Sequence, residues 1–316
     1  SGDLDTSDDY ALPDNYATFT INKKSVSTVT VTDTRPEYDG TAQDFLLNNY
    51  DAKIMKYTVS GKTADGKNTA IVQSTITENA ENAGTENEKI YVLVIHAGEY
   101  TVTVSFKDAN AENNYSWSGA QDDQIFNIQR RKVTPNWGTE LTFPYDPTYD
   151  PSATAEENRK YPHPTVNRII GGDAISFVTT IYGKKGADDR FAEADKLNKT
   201  TLTAAGVYYM LAVLDGAALP DYVMDYSDSW TQFSIGRMAI KLPQESENHK
   251  FTQEYNALYY KVLDYLLNAD GEKYKDSQVI ITFVIDGGTT TDNQLLGAAT
   301  YTFTIKPSDN YVWEGE

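Results

Sequence analysis

The sequence contains no cysteine. Disulfides, thiolate zinc sites and thiol catalysis are therefore excluded, and each module has to hold itself together by its core alone. Histidine is scarce: only His96, His163 and His249 occur. No Gly-x-Ser-x-Gly, zincin or phosphate-loop pattern appears either, so no catalytic residue is assigned and no enzyme is expected. Positive charge is short, with 27 Lys and Arg against 46 Asp and Glu, a formal net charge of −19. Such a chain repels nucleic acid and anionic membranes, so neither is expected as a partner. No apolar run approaches the roughly 20 residues of a membrane-spanning helix, and no stretch reads as a signal peptide. Ser1-Gly2 reads as a tag scar, so a signal and an anchor are expected outside this sequence.

What the sequence has in quantity is sheet-forming residues. Aromatic residues make up 12%, with 23 Tyr against 11 Phe. Tyrosine suits a sheet with one dry and one wet face, because its ring buries while its hydroxyl reaches water. The organising stretch is Ile125-Phe126-Asn127-Ile128-Gln129-Arg130-Arg131-Lys132-Val133, where Phe126 and Ile128 alternate with polar residues as in a half-buried strand. The same phrase occurs at Phe19-Thr20-Ile21-Asn22-Lys23-Lys24 and at Phe233-Ser234-Ile235-Gly236-Arg237. Both steps, Phe19 to Phe126 and Phe126 to Phe233, are 107 residues. That period is domain-sized, longer than a solenoid unit of roughly 20–50 residues.

The repeat divides the chain. Residues 1–21 are an acidic, flexible lead-in with a junction strand at Tyr16 to Ile21. The first repeat covers 22–129, the second 130–236 and the third 237–316. Tyr38-Asp39 recurs as Tyr145-Asp146, Gly98-Glu99-Tyr100 as Gly206-Val207-Tyr208, and Tyr115 as Tyr222. In the third repeat Glu254-Tyr255-Asn256 replaces Glu37-Tyr38-Asp39, and Asn310-Tyr311-Val312-Trp313 repeats Asn114-Tyr115-Ser116-Trp117. A closing Phe-x-Ile strand is missing from the third repeat. Its open edge is expected to accept Phe19–Ile21 of another copy, head to tail.

Each repeat offers about seven short strands in about 100 residues, the profile of an immunoglobulin-like sandwich without its disulfide. The expected fold is all-β: three tandem immunoglobulin-like β-sandwich domains with little helix. Val26–Val31, Ile54–Val59, Tyr91–Ile95 and Tyr100–Val104 read as strands, as do Ile175–Ile181, Val279–Ile285 and Tyr301–Ile305. Glu78–Lys89 reads as a polar loop. Phe45-Leu46-Leu47 reads as a strand or a turn of helix, and Leu258–Leu267 is the one helix-like window. The first junction lacks a Gly/Ser spacer and should be semi-rigid, whereas Ile235-Gly236-Arg237 is expected to bend more.

These phrases resemble a known group. The Tyr38-Asp39-Gly40 turn, Gly98-Glu99-Tyr100, Asn114-Tyr115 and Phe126-Asn127-Ile128-Gln129-Arg130 are similar to the tandem Ig-like repeats, of MBG or YDG type, in large bacterial cell-surface proteins. The match spans all three repeats, but Gly40 is replaced by Pro147 and Ala257. The resemblance implies an extracellular place on a bacterial surface and non-catalytic work: stalk, adhesin, or accessory domain of a glycan-degrading complex.

The four tryptophans separate into two kinds. Trp117 and Trp313 hold equivalent places, with Met224 between them, and read as packing positions. Trp137 and Trp230 have no counterpart 107 residues earlier, where Thr30 and Asp123 stand. Because Phe233 and Ile235 point inward, Trp230 should point outward. Trp137 and Trp230 open and close one repeat, and are the candidates for a glycan platform, with Tyr208 and Tyr209 beside them. An interdomain wedge is the competing reading. The expected partner is a polysaccharide or a host or cell-surface glycoprotein; a spacer with no ligand is the third option. No cofactor is expected. Asp188-Asp189 with Glu193 and Asp195, or Asp122-Asp123, do not match a calcium loop and read as solvated acids. A Lys–Asn isopeptide bond between Lys23, Lys24 or Lys132 and Asn114 or Asn310 shows no definite pairing, and Arg237 or Lys241 would stand in the third repeat.

Overall fold

The computed structural model describes residues 19–63, 76–85, 88–244, 260–285, 288–290, 294–295 and 301–316. The chain falls into two compact units, Ser1–Arg131 and Lys132–Glu316. The fold is all-β and Ig-like, built of sheets that face each other across apolar cores.

In the first repeat, Gly98–Phe106 lies between Met55–Thr63 and Gln124–Ile128 in an antiparallel three-stranded sheet. The facing sheet runs Thr30–Val31, Gln43–Asn48, Lys89–Val94, Thr77–Glu81. Alternation along Gly98–Phe106 buries Tyr100 and Val102 completely. Phe126, from the closing strand, ties the two layers. Its ring stacks on Phe45 of the facing sheet at 4.0 Å and on Tyr100 at 5.1 Å. Burying such a side chain contributes roughly 1.5–3 kcal/mol, and each aromatic pair about 0.5–1.5 kcal/mol more. The Tyr100 hydroxyl donates to the His96 carbonyl at 2.6 Å, four residues back, in the manner of a tyrosine corner.

The second repeat reuses these parts. Its sheet runs Thr142–Pro144, Trp230–Gly236, Gly206–Asp215, Ser176–Tyr182, Lys196–Leu197. Phe233 lies in the core against Phe143 and Tyr208, and the Tyr208 hydroxyl donates to the Ala204 carbonyl at 2.8 Å. The backbone N–H of Tyr38 donates to Gln129 O, and that of Tyr145 to Gly236 O. Asp39 accepts from the hydroxyl and N–H of Thr41, and Asp146 does the same from Thr148, although Gly40 has become Pro147. The turn therefore depends on its aspartate and threonine more than on its glycine.

In the third repeat Val279–Ile285 lies between Gly288–Thr290 and Thr302–Pro307, over a core that includes Leu266, Ile281, Phe283, Tyr311 and Trp313. Its first strand, Met238–Ile240, runs parallel to Tyr311–Trp313, as Lys24–Val26 does to Tyr115–Trp117.

Several expectations change. Val26–Val31 is not one strand: Lys24–Val26 joins Tyr115–Trp117, whereas Thr30–Val31 pairs with Leu47 and Asn48 in a different sheet. The chain crosses between layers around the fully buried Val29. Thr77–Glu81, assigned in part to a polar loop, pairs with Lys89–Val94, since backbone hydrogen bonds outweigh its polar side chains. Phe45-Leu46-Leu47 is strand. The helix-like window holds a 3-10 turn at Val262–Asp264 and short strands on either side, because its apolar residues face the third core; residues 258–259 lie outside the described residues. A short helix, Ala109–Asn114, was not foreseen; Asp108 caps it by accepting from Ala111 N–H at 2.9 Å. The expected junction strand is no strand at Phe19–Ile21, where both side chains are exposed; residues 16–18 lie outside the described residues.

The Gly236 junction is braced. Tyr145 packs against both the second and the third core, and its ring meets Tyr311 edge-on at 5.4 Å. Asn310 accepts from Ala205 N–H through Oδ1 at 2.7 Å and from Met238 N–H through its carbonyl at 3.0 Å. The second and third repeats are accordingly one compact unit.

Replacing Tyr145 by Ala should cost about 2–3 kcal/mol. In calorimetry it should split one shared transition of these two repeats into two; an unsplit, unshifted transition would contradict the brace. Hydrogen bonds from the threonine hydroxyls, then the threonine N–H groups, hold Asp39 and Asp146 below the ordinary 3.8. A lowered carboxylate stabilises the fold fully above its unfolded value, and that gain is lost as pH falls through the folded value. The fall in melting temperature on acidification through 3.8 should therefore be shallower in a Thr41→Val, Thr148→Val double variant than in wild type.

Candidate functional site

Two aromatic neighbourhoods lie in the second repeat. The first is the outer face of the five-stranded sheet. Register places Tyr182 opposite Tyr209, and Leu211 opposite Trp230, so three adjacent strands send rings to one face. The 183–195 loop folds over them. Phe191 stacks on Tyr182 at 4.7 Å and lies edge-on to Trp230 at 6.2 Å. The Lys185 ammonium sits 4.0 Å above the Trp230 ring and pairs with Asp189 at 2.6 Å. Trp230 does point outward, but its face is occupied. It does not lie open as a flat sugar platform.

The second neighbourhood surrounds Trp137. A cleft of about 480 Å³ is lined by Trp137, Phe143, Tyr161 and Pro162, with Glu140, Glu157, Asn158, Arg159 and His163 around it. Trp137 and Tyr161 also pack with the core, which fixes the apolar floor. Arg159 is aimed by two bonds, Nε to the Thr154 carbonyl at 3.0 Å and Nη1 to the Tyr161 hydroxyl at 3.5 Å. The Tyr161 hydroxyl donates to Glu156, which also takes Lys199 at 3.2 Å. That lysine hydrogen bond is the first cause holding the Glu156 carboxyl below its ordinary value. The His163 ring lies 4.7 Å from Tyr161, and its Nε2 is 3.2 Å from the Arg159 carbonyl oxygen.

The four sequence candidates thus separate. Tyr209 and Trp230 come together under the loop. Trp137 lies in the cleft instead, with rings that sequence reasoning had not joined to it. Tyr208 is a core residue packed on Phe233, and alternation from Tyr209 explains why its ring is not available to a ligand. Tyr161 and Arg159 were missed; their sequence signal was the aromatic between Lys160 and the Pro162-His163-Pro164 loop.

Other candidates have packing or pairing roles. Trp117 stacks on Phe106 at 4.5 Å, and Trp313 meets Tyr274 edge-on at 6.2 Å. Asp188, Asp189, Glu193 and Asp195 each pair with a cation: Arg190, Lys185, Lys196 and Lys184. Among the described residues no three His, Asp or Glu side chains converge to hold a metal. Lys23 donates to the Glu112 carbonyl, Lys132 pairs with Asp225, and Lys241 with Asp270. Asn114 donates to Asn110, and Asn310 accepts from Ala205. These contacts bond Lys23, Lys132, Lys241, Asn114 and Asn310 to groups other than one another.

No family model matches the chain, and no curated protein does. Solved structures that resemble it include FdeC, an Escherichia coli adhesin, at 12% identity and TM-score 0.28, covering 90% of this chain and 88% of that one. Domains 4–9 of surface-layer protein SbsC align at 10% identity and TM-score 0.22, over 90% of this chain and 48% of that. A chimeric titin Z1Z2 aligns at 12% identity and TM-score 0.18, over 63% and 98%. Scores this low establish no relationship, and the fold assignment rests on the strand pairing above. Among the described residues no helix is long and apolar enough to cross a membrane.

Lys185→Ala should uncover Trp230. Its acrylamide quenching, read against a Trp230→Phe background, should rise about twofold, with a stability loss of about 0.5–1 kcal/mol. Unchanged quenching would show that the ammonium does not cover the ring.

Proposed function

We propose that this chain is a non-catalytic binding module of a bacterial surface protein. Its sandwiches serve as scaffold and spacer, and the Trp137 cleft contacts a saccharide chain of a polysaccharide or glycoprotein. The observation that carries the reading is the cleft itself, which joins an apolar aromatic floor to a rim of hydrogen-bonding groups. An indole or phenol ring contacts the apolar face of a sugar through C–H groups, while Arg, Asn, Glu and His reach its hydroxyls. Concave sites with an apolar wall and few polar groups are the usual form of small-ligand sites. The sequence resemblance supports the surface location. The covered Trp230 favours Trp137 as the contact.

A second reading, a spacer with no ligand, is favoured by the brace at Tyr145, which stiffens the repeats whether or not anything binds. Affinity electrophoresis on a panel of soluble and insoluble polysaccharides, starch included, tests the first. Wild type and Trp230→Ala should be retarded on at least one polymer. Trp137→Ala should lose about tenfold or more in apparent affinity, as expected when a central aromatic contact worth about 1.4 kcal/mol or more is removed. No retardation on any polymer leaves the spacer reading; equal retardation of all three proteins moves the site away from the cleft.

A further inference from the structure

The aromatic cluster on the outer face of the second repeat's sheet already holds a cation. The Lys185 ammonium lies 4.0 Å from the centre of the Trp230 ring and 6.0 Å from that of Tyr209. Phe191 stands against both rings, 6.2 Å from Trp230 and 6.1 Å from Tyr209. The Asp189 carboxylate completes the group, 2.6 Å from the ammonium. Indole and phenol faces attract a cation, most strongly where water is kept away. Here it largely is. The Lys185 side chain is 21% exposed, whereas Lys184 and Arg190 of the same loop are 75% and 82% exposed.

The backbone of the loop fixes the carboxylate. Gly183 N–H donates to Asp195 O at 2.8 Å at its base, and Gly186 N–H to Arg190 O at 2.9 Å at its tip. Asp189 takes a left-handed φ of 62° in that tip, and the Tyr226 hydroxyl donates to its carbonyl at 3.1 Å. None of these bonds involves the Lys185 side chain. The lysine can therefore leave by rotating about its own side-chain bonds, regaining rotamer freedom, while the rings, the turn and Asp189 stay in place.

We infer that Trp230, Tyr209, Phe191 and Asp189 form a site for a quaternary ammonium group, and that Lys185 is its built-in competitor. Chemistry separates the two cations. A primary ammonium is compact and strongly hydrated, so it gives up much hydration on entering an aromatic site. A trimethylammonium spreads its charge over methyl groups, donates no hydrogen bond and sheds water easily, and aromatic cages recognise it for that reason. Asp189 remains to balance the charge of either occupant. The net charge of −19 also draws cations to the chain. The site shares no residue with the Trp137 cleft and does not depend on the saccharide reading.

Choline chloride, titrated against the full chain and followed by saturation-transfer NMR on its methyl resonance, tests the inference. Wild type should bind weakly, and Lys185→Ala about tenfold or more tighter, because the competitor is gone. A lysine with a purely structural role would lower the affinity on removal or leave it unchanged. Dimethylbutanol, the uncharged carbon isostere of choline, should bind Lys185→Ala about tenfold or more weaker than choline does. Phosphocholine should also bind more weakly than choline, because Asp189 stands against its phosphate. A Lys185→Ala, Trp230→Leu protein should lose the signal; if its circular dichroism shows that it does not fold, Lys185→Ala, Tyr209→Leu takes its place and should weaken binding severalfold. The inference is overturned if Lys185→Ala binds choline no tighter than wild type, if the neutral isostere or phosphocholine binds as tightly as choline, or if the ring variant binds as Lys185→Ala does.

Discussion

Each complete sandwich depends on a phenylalanine delivered by the strand that closes its sheet. Phe126 and Phe233 arrive last in their repeats: Phe126 joins two layers through Phe45 and Tyr100, and Phe233 packs in its core against Phe143 and Tyr208. No disulfide shares the work, because the chain has no cysteine. The closing strand therefore does two things at once: it pairs the polar backbone of an edge and seals the apolar side chains beneath it. Beneath the closing strand of the first repeat, Tyr100 and Val102 are fully buried.

Repetition also explains how separate sandwiches become one body. The tyrosine of the Tyr-Asp turn is bonded through its N–H to the closing strand in both repeats that have one. In the first repeat Tyr38 is buried within its own unit. In the second, Tyr145 occupies the corresponding site but also packs against the third core and Tyr311. One conserved backbone bond thus holds the ring at a place where it can reach two cores, and Asn310 adds polar ties at the same junction. A glycine at 236 permits bending only if its neighbours leave it free, and here they do not.

What covers each aromatic ring decides which of them could meet a ligand. A tryptophan on an outer sheet face is available only when no loop crosses it. The 183–195 loop crosses Trp230 and places both a phenyl edge and an ammonium against it. Trp137 lies instead beside a loop that stands off, leaving a cleft between the indole and the Arg159–His163 segment. The hydrogen bonds of Arg159, Tyr161 and Glu156 hold that segment in place, a preorganisation that would lower the ordering cost of the proposed contact.

The sequence by itself determined the period, the all-β class, the closing strands and the packing roles of Trp117 and Trp313. These are properties of alternation and spacing, and a strand's two faces are legible from residue order. Tyr208 and Tyr209 were both candidates for the platform, and the structure sends Tyr208 to the core and Tyr209 to the outer face. Only the tertiary structure decided that Trp137 and Trp230 lie in different surroundings, that Lys185 covers one of them, and that Tyr161 joins the other. It alone split Val26–Val31 between two sheets and made Thr77–Glu81 a strand. Most of these depend on contacts between residues well separated in the chain, and Thr77–Glu81 on backbone pairing with nearby Lys89–Val94 that overrides its local polarity. Periodicity carries no information about which loop will fold back over which face.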